Sequence, residues 1–521
     1  MLIRVTSSDC LDPSPCIALG LLSAGMTLRE NLLDMERVRE AYWLRHSATS
    51  SVKLRWRAVT VRHAFHVLPG ESILEIGAGS GLWTQHLATV FRGENDLTAA
   101  VFNEDLASRA EARPLHRTTV VRVRDLTEDL GAECFDYVVG TGILCHDRYA
   151  ENLGALYFLL KPGGQLLFFE TNFWNPQVLL KNTIPPIGRW AGQASCQIGM
   201  RRYRLLQETS RQGFVEVEVI PYDILHPRTP PRLIPAVQSV AFVLEHIPAI
   251  RDLCGTLYVW ARRPGDNVRR PTANLASHPQ LHRSTSVVVP CRNESPNVRS
   301  LLEALLQFYD DYIHEIVIVD DHSTDGTADV VRELAVEEPR IRLVSNESAA
   351  GVGSALRAGY AAATGPYILS MDCDFALLVP ELRDLFDAVA EGRDGAIGSR
   401  FSHESVLINY PVMKIIGNRG FHLLARIVLR RKVRDMSNNL KLFKAPILQQ
   451  LELEEPGFAA NVETGFKPLL QGWDIVEVPV SWVNRTSTMG QSSFKLLKVA
   501  PGYARALWRL VWHGYRQRRA G

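Results

Sequence analysis

The chain has 521 residues, and at roughly 150 residues per domain this length predicts two to four domains. The 58 Lys and Arg residues nearly balance the 56 Asp and Glu residues, which argues against a dedicated nucleic-acid-binding protein. The eight cysteines form no CxxC pair, so a reduced, cytoplasmic setting is favoured over a disulfide framework or a zinc ribbon. Since no run of 18 or more uncharged apolar residues occurs, no membrane-spanning helix is predicted.

Residues 1–49 are interpreted as a leader followed by a helical extension. Residues 15–25 resemble a short signal-peptide core, but Asp9 and Asp12 precede them and the apolar run is short. We therefore favour a disordered leader, or a true start at Met26.

A polar, proline-containing segment at residues 263–284 predicts that the chain divides into two halves. On both sides of it, short apolar strands alternate with amphipathic helices, which is the pattern of parallel α/β domains. We therefore expect two α/β domains, at residues 50–262 and 285–500, and a basic amphipathic tail at residues 501–521.

The first predicted strand of this region ends in a glycine turn, Glu75-Ile-Gly77-Ala-Gly79-Ser-Gly81. Glycines let a ligand approach the backbone closely. Leu82 stands where a dinucleotide-binding turn has Gly or Ala, so a dinucleotide is disfavoured. The pattern instead resembles the class I S-adenosylmethionine-dependent methyltransferases, with their Rossmann-like fold. The resemblance implies that the acidic residue and the three glycines contact S-adenosylmethionine.

Further positions follow the same family pattern. Glu104 stands just past the second predicted strand, where a carboxylate accepts both ribose hydroxyls, and Asn103 or Asp105 are alternatives for this role. Asp125 closes the third strand and resembles the family residue near the adenine amino group. Residues 159–170 contain a Lys-Pro-Gly-Gly turn before a strand, which is the most diagnostic match.

The methyl acceptor is not identified by these motifs. His146 follows the fourth strand and is a candidate base, although a position beneath the cofactor or on the surface is the favoured alternative. Residues 170–176 lie at a strand end and are expected either to line the acceptor pocket or to form a plain turn.

The second half carries three motifs at predicted strand ends. In chain order they are Pro290-Cys-Arg-Asn-Glu294, Asp320-Asp321 and Asp372-Cys-Asp374. An Asp-x-Asp at a strand end offers two hard oxygen ligands, which suits Mg²⁺ or Mn²⁺ bridging a diphosphate.

Three further matches follow, at residues 398–401, 433–443 and 477–480, and a fourth at residues 484–495. Together the motifs resemble the family 2 glycosyltransferases of the GT-A fold. The subgroup that they resemble most is that of the dolichyl-phosphate mannose synthases and related polyprenyl-phosphate sugar transferases.

This resemblance implies roles for individual residues. Four of them would hold the base and ribose of a nucleotide-sugar donor: Pro290, Glu294, Asp320 and Asp321. Asp372 and Asp374 would hold the metal and the diphosphate. Arg400, Arg485 and Lys495 would contact donor or acceptor phosphates, although for Lys495 a solvated surface charge is equally open.

The acceptor of the sugar decides the mechanism. A lipid phosphate is already ionised and needs no base, whereas a hydroxyl acceptor needs one, and Glu463 is the candidate. A structural carboxylate is the favoured alternative for Glu463. No nucleophile for a covalent intermediate is evident, so direct displacement with inversion is expected. Phe375 and Ala376 stand where the family often has a polar residue assisting the metal, which keeps a non-catalytic binding module open.

Two basic stretches predict contact with a membrane surface. Residues 405–434 carry seven Lys and Arg and no acid, and residues 485–521 carry eight with Trp508 and Trp512. A domain-packing helix with a basic outer face is the alternative. The sequence thus predicts a bifunctional cytoplasmic transferase, peripheral to the membrane, with a nucleotide-sugar donor and a polyprenyl-phosphate acceptor. A hydroxyl acceptor remains the second hypothesis.

Overall fold

A computed structural model describes residues 27–113, 115–184, 186, 188, 197–265, 274–402, 404–408, 410–483 and 496–520. The leader and two predicted phosphate-contacting residues, Arg485 and Lys495, lie outside these described residues. The described chain forms two seven-stranded mixed sheets and a small two-stranded sheet, so the predicted architecture of two α/β domains is confirmed.

The first sheet has the strands β1 (Ser72–Ile76), β2 (Asp96–Val101), β3 (Thr118–Arg122), β4 (Phe135–Thr141), β5 (Leu160–Thr171), β6 (Val215–Tyr222) and β7 (Thr256–Arg262). Their order in space is β3-β2-β1-β4-β5-β7-β6. The first five run parallel, and β7 pairs antiparallel with both β5 and β6. The strand order reverses at β1, so a crevice is expected beyond its carboxyl end.

The helices of this half are α1 (Leu28–Arg45), α2 (Ser47–Phe65), α3 (Leu82–Val90), α4 (Glu104–Glu111), α5 (Leu126–Leu130), α6 (Tyr149–Leu159), α7 (Pro176–Thr183), α8 (Arg202–Arg211) and α9 (Ile234–Leu244). Helix α1 begins with a capping box between Thr27 and Glu30. Its Leu32 and Met35 are buried in the core of the first sheet. The expected helical extension is therefore packed on the first sheet as an integral element of the fold.

The second large sheet contains the strands β8 (Thr285–Cys291), β9 (Ile313–Asp320), β10 (Ile341–Ser345), β11 (Tyr367–Ser370), β12 (Gly395–Ser399), β14 (Lys441–Lys444) and β15 (Ile475–Pro479), while β13 (Leu407–Ile408) pairs with β16 (Trp482–Val483). The order is β10-β9-β8-β11-β14-β12-β15. Strand β14 is antiparallel to both of its neighbours. The order reverses at β8, which places the three sequence motifs at one edge of the sheet.

The helices of the second half are α10 (Ser295–Tyr309), α11 (Thr327–Glu337), α12 (Val352–Ala362), α13 (Arg383–Ala390), α14 (Val412–Leu429), α15 (Ala445–Gln449), α16 (Ala460–Gln471) and α17 (Leu496–Ala520). Helix α17 buries Ala506, Leu507 and Leu510 in the core of this half. The tail expected at residues 501–521 is therefore largely a helix that packs on the domain. Among the helices that the structure describes, none is both long and apolar enough to cross a membrane.

Ion pairs join the two halves. Glu94 accepts two hydrogen bonds from Arg383, the shorter at 2.5 Å, and His63 of α2 lies 3.0 Å from Glu381. Glu381 belongs to the 3-10 segment Cys373–Leu382, which also contains the second Asp of the Asp-x-Asp motif. The first half therefore packs directly against the segment that carries the predicted metal ligand.

Candidate active sites

A cavity of about 480 Å³ opens at the carboxyl ends of the central strands of the second sheet. Six of the predicted residues line it together: Pro290, Glu294, Asp321, Asp372, Asp374 and Arg400. Asp320 is not among the lining residues, and its Oδ1 accepts the backbone N–H of Ser323 at 3.2 Å. The parallel strands thus bring sequence-distant motifs to one place, as their strand-end positions predicted.

The carboxylates of the donor end are held by neighbouring amides. Asp321 is buried, and its Oδ1 accepts hydrogen bonds from the Asn346 side chain at 2.7 Å and from the Gly351 backbone at 3.0 Å. Glu294 accepts a hydrogen bond from the Asn297 side chain at 2.6 Å. Fixed carboxylates can accept hydroxyl or base N–H groups without first losing side-chain entropy.

The Asp-x-Asp motif presents both of its carboxylates to the same cavity. Asp372 Oδ1 accepts a hydrogen bond from Asn439 Nδ2 at 2.8 Å, and Asn439 in turn accepts one from the Ser370 hydroxyl at 2.9 Å. Asp374 lies in the first turn of the 3-10 segment. These hard oxygen donors fit a divalent cation. Within the described ranges, no group of three or more His, Cys, Asp or Glu side chains could hold a metal ion.

Arg400 lines the cavity, and its guanidinium nitrogens are already hydrogen-bonded within the protein. Its Nε and Nη2 donate to the fully buried Asp435 at 2.7 and 2.9 Å, and its guanidinium lies 5.5 Å from the ring centroid of Trp482. Burial alone would lower the pKa of Arg400, but the charge and hydrogen bonds of Asp435 together with the nearby Tyr410 and Tyr503 raise that pKa. Phe375 meets the Trp482 ring edge-on at 4.9 Å. Phe375, which departs from the family pattern, therefore supports Trp482, the ring beside Arg400, rather than the metal.

Sequence reasoning did not single out Lys441, which is fully buried close to this site. Its Nζ donates to the Thr464 hydroxyl at 2.8 Å and to the Asn461 carbonyl at 3.2 Å. Burial lowers the pKa of Lys441 to about 7. Lys441 begins β14 between Leu440 and Leu442, and a lysine flanked by apolar residues was the available signal, because a lysine is rarely fully buried unless it is paired.

Glu463 does not line the cavity. Its Oε2 accepts the backbone N–H groups of Glu454 at 2.9 Å and Glu455 at 2.8 Å, and Oε1 pairs with Lys467 at 2.8 Å. With both oxygens engaged in the fold, this placement favours the structural alternative over the general base for a hydroxyl acceptor.

A further wall of the cavity is mostly apolar, although Lys414 and Asn418 of α14 also line the cavity. It is formed by side chains of α14 and α17, namely Phe421, Leu424, Val499, Tyr503 and Leu507. One cavity therefore joins a polar, carboxylate-lined end to an apolar end.

In the first half, helix α1 covers the glycine turn. The Gly79 backbone N–H donates to Glu36 Oε1 at 3.0 Å, and the Asn103 backbone N–H donates to Glu36 Oε2 at 2.8 Å. The Ser80 hydroxyl donates to Glu40. Glu75 is buried at the end of β1, where burial raises its pKa to about 7. The turn is thus closed by carboxylates from the same chain.

S-adenosylmethionine would lie in the space above the glycines, and neighbouring side chains occupy that space. A Cβ built on Gly79 would stand 2.7 Å from Glu40 Oε2, and one built on Gly77 would stand 3.3 Å from Arg39 Nη2. Gly81, with φ of +80°, starts α3 and would meet Arg113 at 3.2 Å. Side chains of α1 thus occupy the space above the turn, and S-adenosylmethionine would fit there only after these side chains shift.

The other predicted cofactor residues have local partners. Glu104 is exposed and pairs with Arg122 at 3.1 Å, while Asn103 caps α4 by accepting the Leu106 N–H at 3.1 Å. Asp125 caps α5, where its Oδ1 accepts the Thr127 N–H at 2.8 Å. The side chains of these residues are therefore engaged in local contacts, although the Asn103 backbone is linked to the glycine turn through Glu36. Glu36, which sequence reasoning missed, makes the contacts at the end of β2.

His146 is fully buried and does not line the large cavity at the carboxyl ends of β4 and β5. Burial lowers its pKa to about 4, although Asp147 and Glu151 oppose the shift. This placement favours the packing alternative over a base. Glu170, from the segment expected to line the acceptor pocket, does line a large cavity and accepts a hydrogen bond from the Cys145 thiol at 2.9 Å.

The folds and sites together define two α/β transferase domains in one chain. Residues 37–188 match the model of the ubiE/COQ5 methyltransferase family, and residues 286–452 match that of glycosyl transferase family 2. The chain is therefore a transferase that joins a domain of the ubiE/COQ5 methyltransferase family to a domain of glycosyl transferase family 2.

Curated relatives resemble the second half. The polyprenol monophosphomannose synthase of Mycolicibacterium smegmatis is 29% identical over 233 residues, 42% of this chain and 85% of its own length. The dolichol-phosphate mannosyltransferase of Pyrococcus furiosus is 30% identical over 44% of this chain, which spans 64% of that relative. The glycosyltransferase AglD of Haloferax volcanii is 28% identical over 47% of this chain and 39% of its own length.

Solved structures resemble each half at low identity. Glucosyl-3-phosphoglycerate synthase from Mycobacterium tuberculosis, in complex with Mn²⁺, UDP-glucose and phosphoglyceric acid, is 20% identical with a TM-score of 0.36, covering 47% of this chain and 85% of its own. Phosphoethanolamine N-methyltransferase 2 from Haemonchus contortus, with S-adenosyl-L-methionine, is 16% identical with a TM-score of 0.28, covering 38% and 50%.

Proposed function

We propose that the second half transfers a sugar from a nucleotide-sugar donor to the phosphate of a polyprenyl phosphate, with inversion at the anomeric carbon. The observation that carries this proposal is the single cavity with carboxylates at one end and the apolar wall of α14 and α17 at the other. The names of the M. smegmatis and P. furiosus relatives support a polyprenol or dolichol phosphate acceptor.

The acceptor phosphate needs no general base, which agrees with the placement of Glu463 outside the cavity. Its oxygen attacks the anomeric carbon from the side opposite the diphosphate, whose bond to that carbon breaks. Asp372 and Asp374 would hold Mg²⁺ or Mn²⁺, which stabilises the charge of the leaving diphosphate. Arg400, fixed by Asp435, supplies a positive wall for phosphate oxygens.

We further propose that this half lies on a membrane surface, at the cytoplasmic face. Helix α14 exposes several large apolar side chains, namely Met413, Ile416, Leu423, Leu424, Ile427 and Val428, and α17 exposes Trp508 and Trp512. Both helices carry Lys and Arg, so an anionic bilayer complements them in charge and in apolar character. A polyprenyl phosphate would enter the apolar end of the cavity from that surface.

For the first half we propose methyl transfer from S-adenosylmethionine, supported by the ubiE/COQ5 family match and by the glycine turn. Because side chains of α1 occupy the space over that turn, binding of the cofactor requires these side chains to move aside.

Transfer of radiolabelled sugar to undecaprenyl phosphate tests the glycosyl transfer. The full chain is incubated with Mn²⁺ or Mg²⁺ and with GDP-mannose, UDP-glucose or UDP-N-acetylglucosamine in turn. Label in the organic phase, dependent on the metal and lost in Asp374→Asn, is the expected result and names the donor. Release of nucleoside diphosphate without labelled lipid would overturn the phosphate acceptor and favour a hydroxyl acceptor.

A further inference from the structure

A second large cavity, of about 440 Å³, lies in the first half at the carboxyl ends of β4 and β5. Thr141, Gly142, Glu170 and Thr171 line its floor, and α1, α2 and α7 contribute walls. The glycines of the turn do not line it. Strand ends of this kind are where α/β proteins bind ligands, so the cavity is a candidate site separate from the covered turn.

Positive charge exceeds negative charge around this cavity. Six basic side chains line it, namely Arg37, Arg39, Arg45, Lys53, Arg57 and Lys181. The lining carboxylates are Glu170, whose pKa burial raises to about 7, and Asp223. Asp223 is already neutralised by Lys53 at 2.9 Å and by Arg57 at 3.8 Å. Arg39 is likewise offset by Glu36, Glu40 and Glu75, which lie close to it. The remaining basic side chains leave a positive surplus at neutral pH.

The buried Arg57 is a fixed part of the positive charge that lines this cavity. Its side chain is only 6% exposed, and its guanidinium lies between the rings of Trp43 and Phe169, at 5.1 and 5.2 Å from their centroids. It donates to the hydroxyls of Thr141 and Thr256. Within the described part of the chain its Nε has no hydrogen-bond partner. A buried donor left unpaired costs free energy, which an anionic ligand would recover.

Lys181 adds a second cation on the α7 wall. It is half-buried and makes no ion pair or hydrogen bond with any residue that the structure describes. Burial and the nearby Arg228 lower its pKa. Apolar side chains line the cavity beside it, among them Val178 of the same helix, Ile198 and Leu225. This wall therefore offers a positive charge to an anionic group and apolar surface to whatever carries that group.

We propose that this cavity binds an anionic amphiphile, a phosphate or carboxylate group on an apolar body, and that it is the methyl-acceptor site. Its assignment as the acceptor site rests on the methyl transfer proposed above, whereas the binding does not. The glycosylated polyprenyl phosphate that the second half would release belongs to this chemical class, and so does a carboxylate-bearing lipid.

Calorimetric titration of the full chain without S-adenosylmethionine tests the binding. The probes are octyl phosphate, octanoate, inorganic phosphate and, as the neutral match, octyl glucoside. The glycosyltransferase cavity also suits a phosphate amphiphile, so total binding does not distinguish the two cavities. The measured quantity is therefore the part of the binding that is lost in Lys181→Gln, because Lys181 lines only the cavity of the first half. Arg211→Gln, an exposed residue of α8 outside the cavity, is the matched control.

We expect octyl phosphate or octanoate to bind at least about tenfold more weakly to Lys181→Gln than to the wild type or to Arg211→Gln. The stronger of the two probes distinguishes a phosphate source from a carboxylate source. Equal binding of octyl glucoside, or binding that Lys181→Gln leaves unchanged, would overturn the proposal. If inorganic phosphate bound as tightly as octyl phosphate, the proposal that the ligand needs an apolar body would be overturned. Binding of the probe without transfer of labelled methyl to any amphiphile bearing its head group would overturn only the assignment as acceptor site.

Discussion

The Glu36 carboxylate of α1 accepts the backbone N–H of Asn103 at 2.8 Å, across the carboxyl end of β2. The same carboxylate accepts the N–H of Gly79 at 3.0 Å and that of Phe102 at 3.1 Å. Burial raises the pKa of Glu36, while these three donors and the nearby Arg39 oppose the rise. One side chain thus satisfies the backbone groups that surround the glycine turn.

Replacement of Glu36 by Ala is expected to strengthen the binding of S-adenosylmethionine by about tenfold, or ~1.4 kcal/mol. Hydrogen bonds to a charged group contribute about 1.5–3 kcal/mol each, so their loss frees α1 to leave the turn. Calorimetry on the full chain measures the affinity. Asp34→Ala, on the same helix, is the control and is expected to bind like the wild type. Weaker binding in Glu36→Ala would show that this residue holds the cofactor instead.

Replacement of Asp374 by Asn is expected to lower sugar transfer by at least about 100-fold, because an amide no longer offers a charged ligand to the cation. The assay is transfer of labelled sugar across a titration of Mn²⁺. Asp329→Asn, an exposed residue of α11, serves as the matched control. Undiminished transfer in Asp374→Asn at limiting Mn²⁺ would exclude the metal role of this carboxylate.

Lys441 predicts a pH dependence of stability. Its pKa is about 7 in the folded chain against an ordinary value of 10.5, so between these values the unfolded chain binds more protons. Stability should therefore rise with pH from about 7 to about 10.5, by up to ~1.4 kcal/mol per pH unit from this group.

Urea unfolding of the wild type and of Lys441→Met at several pH values measures this contribution. The difference between the two free energies of unfolding is expected to change across that window and to level off below about pH 7. A difference that stays constant from pH 7 to 10 would mean that Lys441 titrates as an ordinary lysine.

Trp56 of α2 packs against the aromatic cluster of the other domain that includes Tyr410 and Trp482, the ring that lies against Arg400. Trp56→Ala is expected to reduce sugar transfer by about tenfold, because small displacements of positioning groups are costly in rate. The kcat for sugar transfer is compared with that of Trp174→Ala, an exposed tryptophan outside this cluster. An unchanged kcat in Trp56→Ala would show that the glycosyltransferase site does not depend on this interdomain contact.

The local motifs of the candidate sites could be predicted from the sequence. The glycine turn and the Asp-x-Asp both follow apolar strands, and parallel strands bring their carboxyl ends to one edge of the sheet. For that reason Pro290, Asp321 and Asp374 were expected together and line one cavity. The two domains and their α/β class followed from the same alternation of strands and helices.

Only the tertiary structure decided which groups fill or support these sites. Glu36 and Asn103 are 67 residues apart, and Arg400 and Asp435 are 35 apart, so no local spacing relates them. Helix α1 lies over the turn because its apolar side chains are buried in the core of the first sheet, and this packing carries its acidic side chains into the cleft. Strand and turn patterns depend on residues that are neighbours in the sequence. Which side chains fill a cleft depends instead on how an element distant in the sequence, here α1, packs into the core.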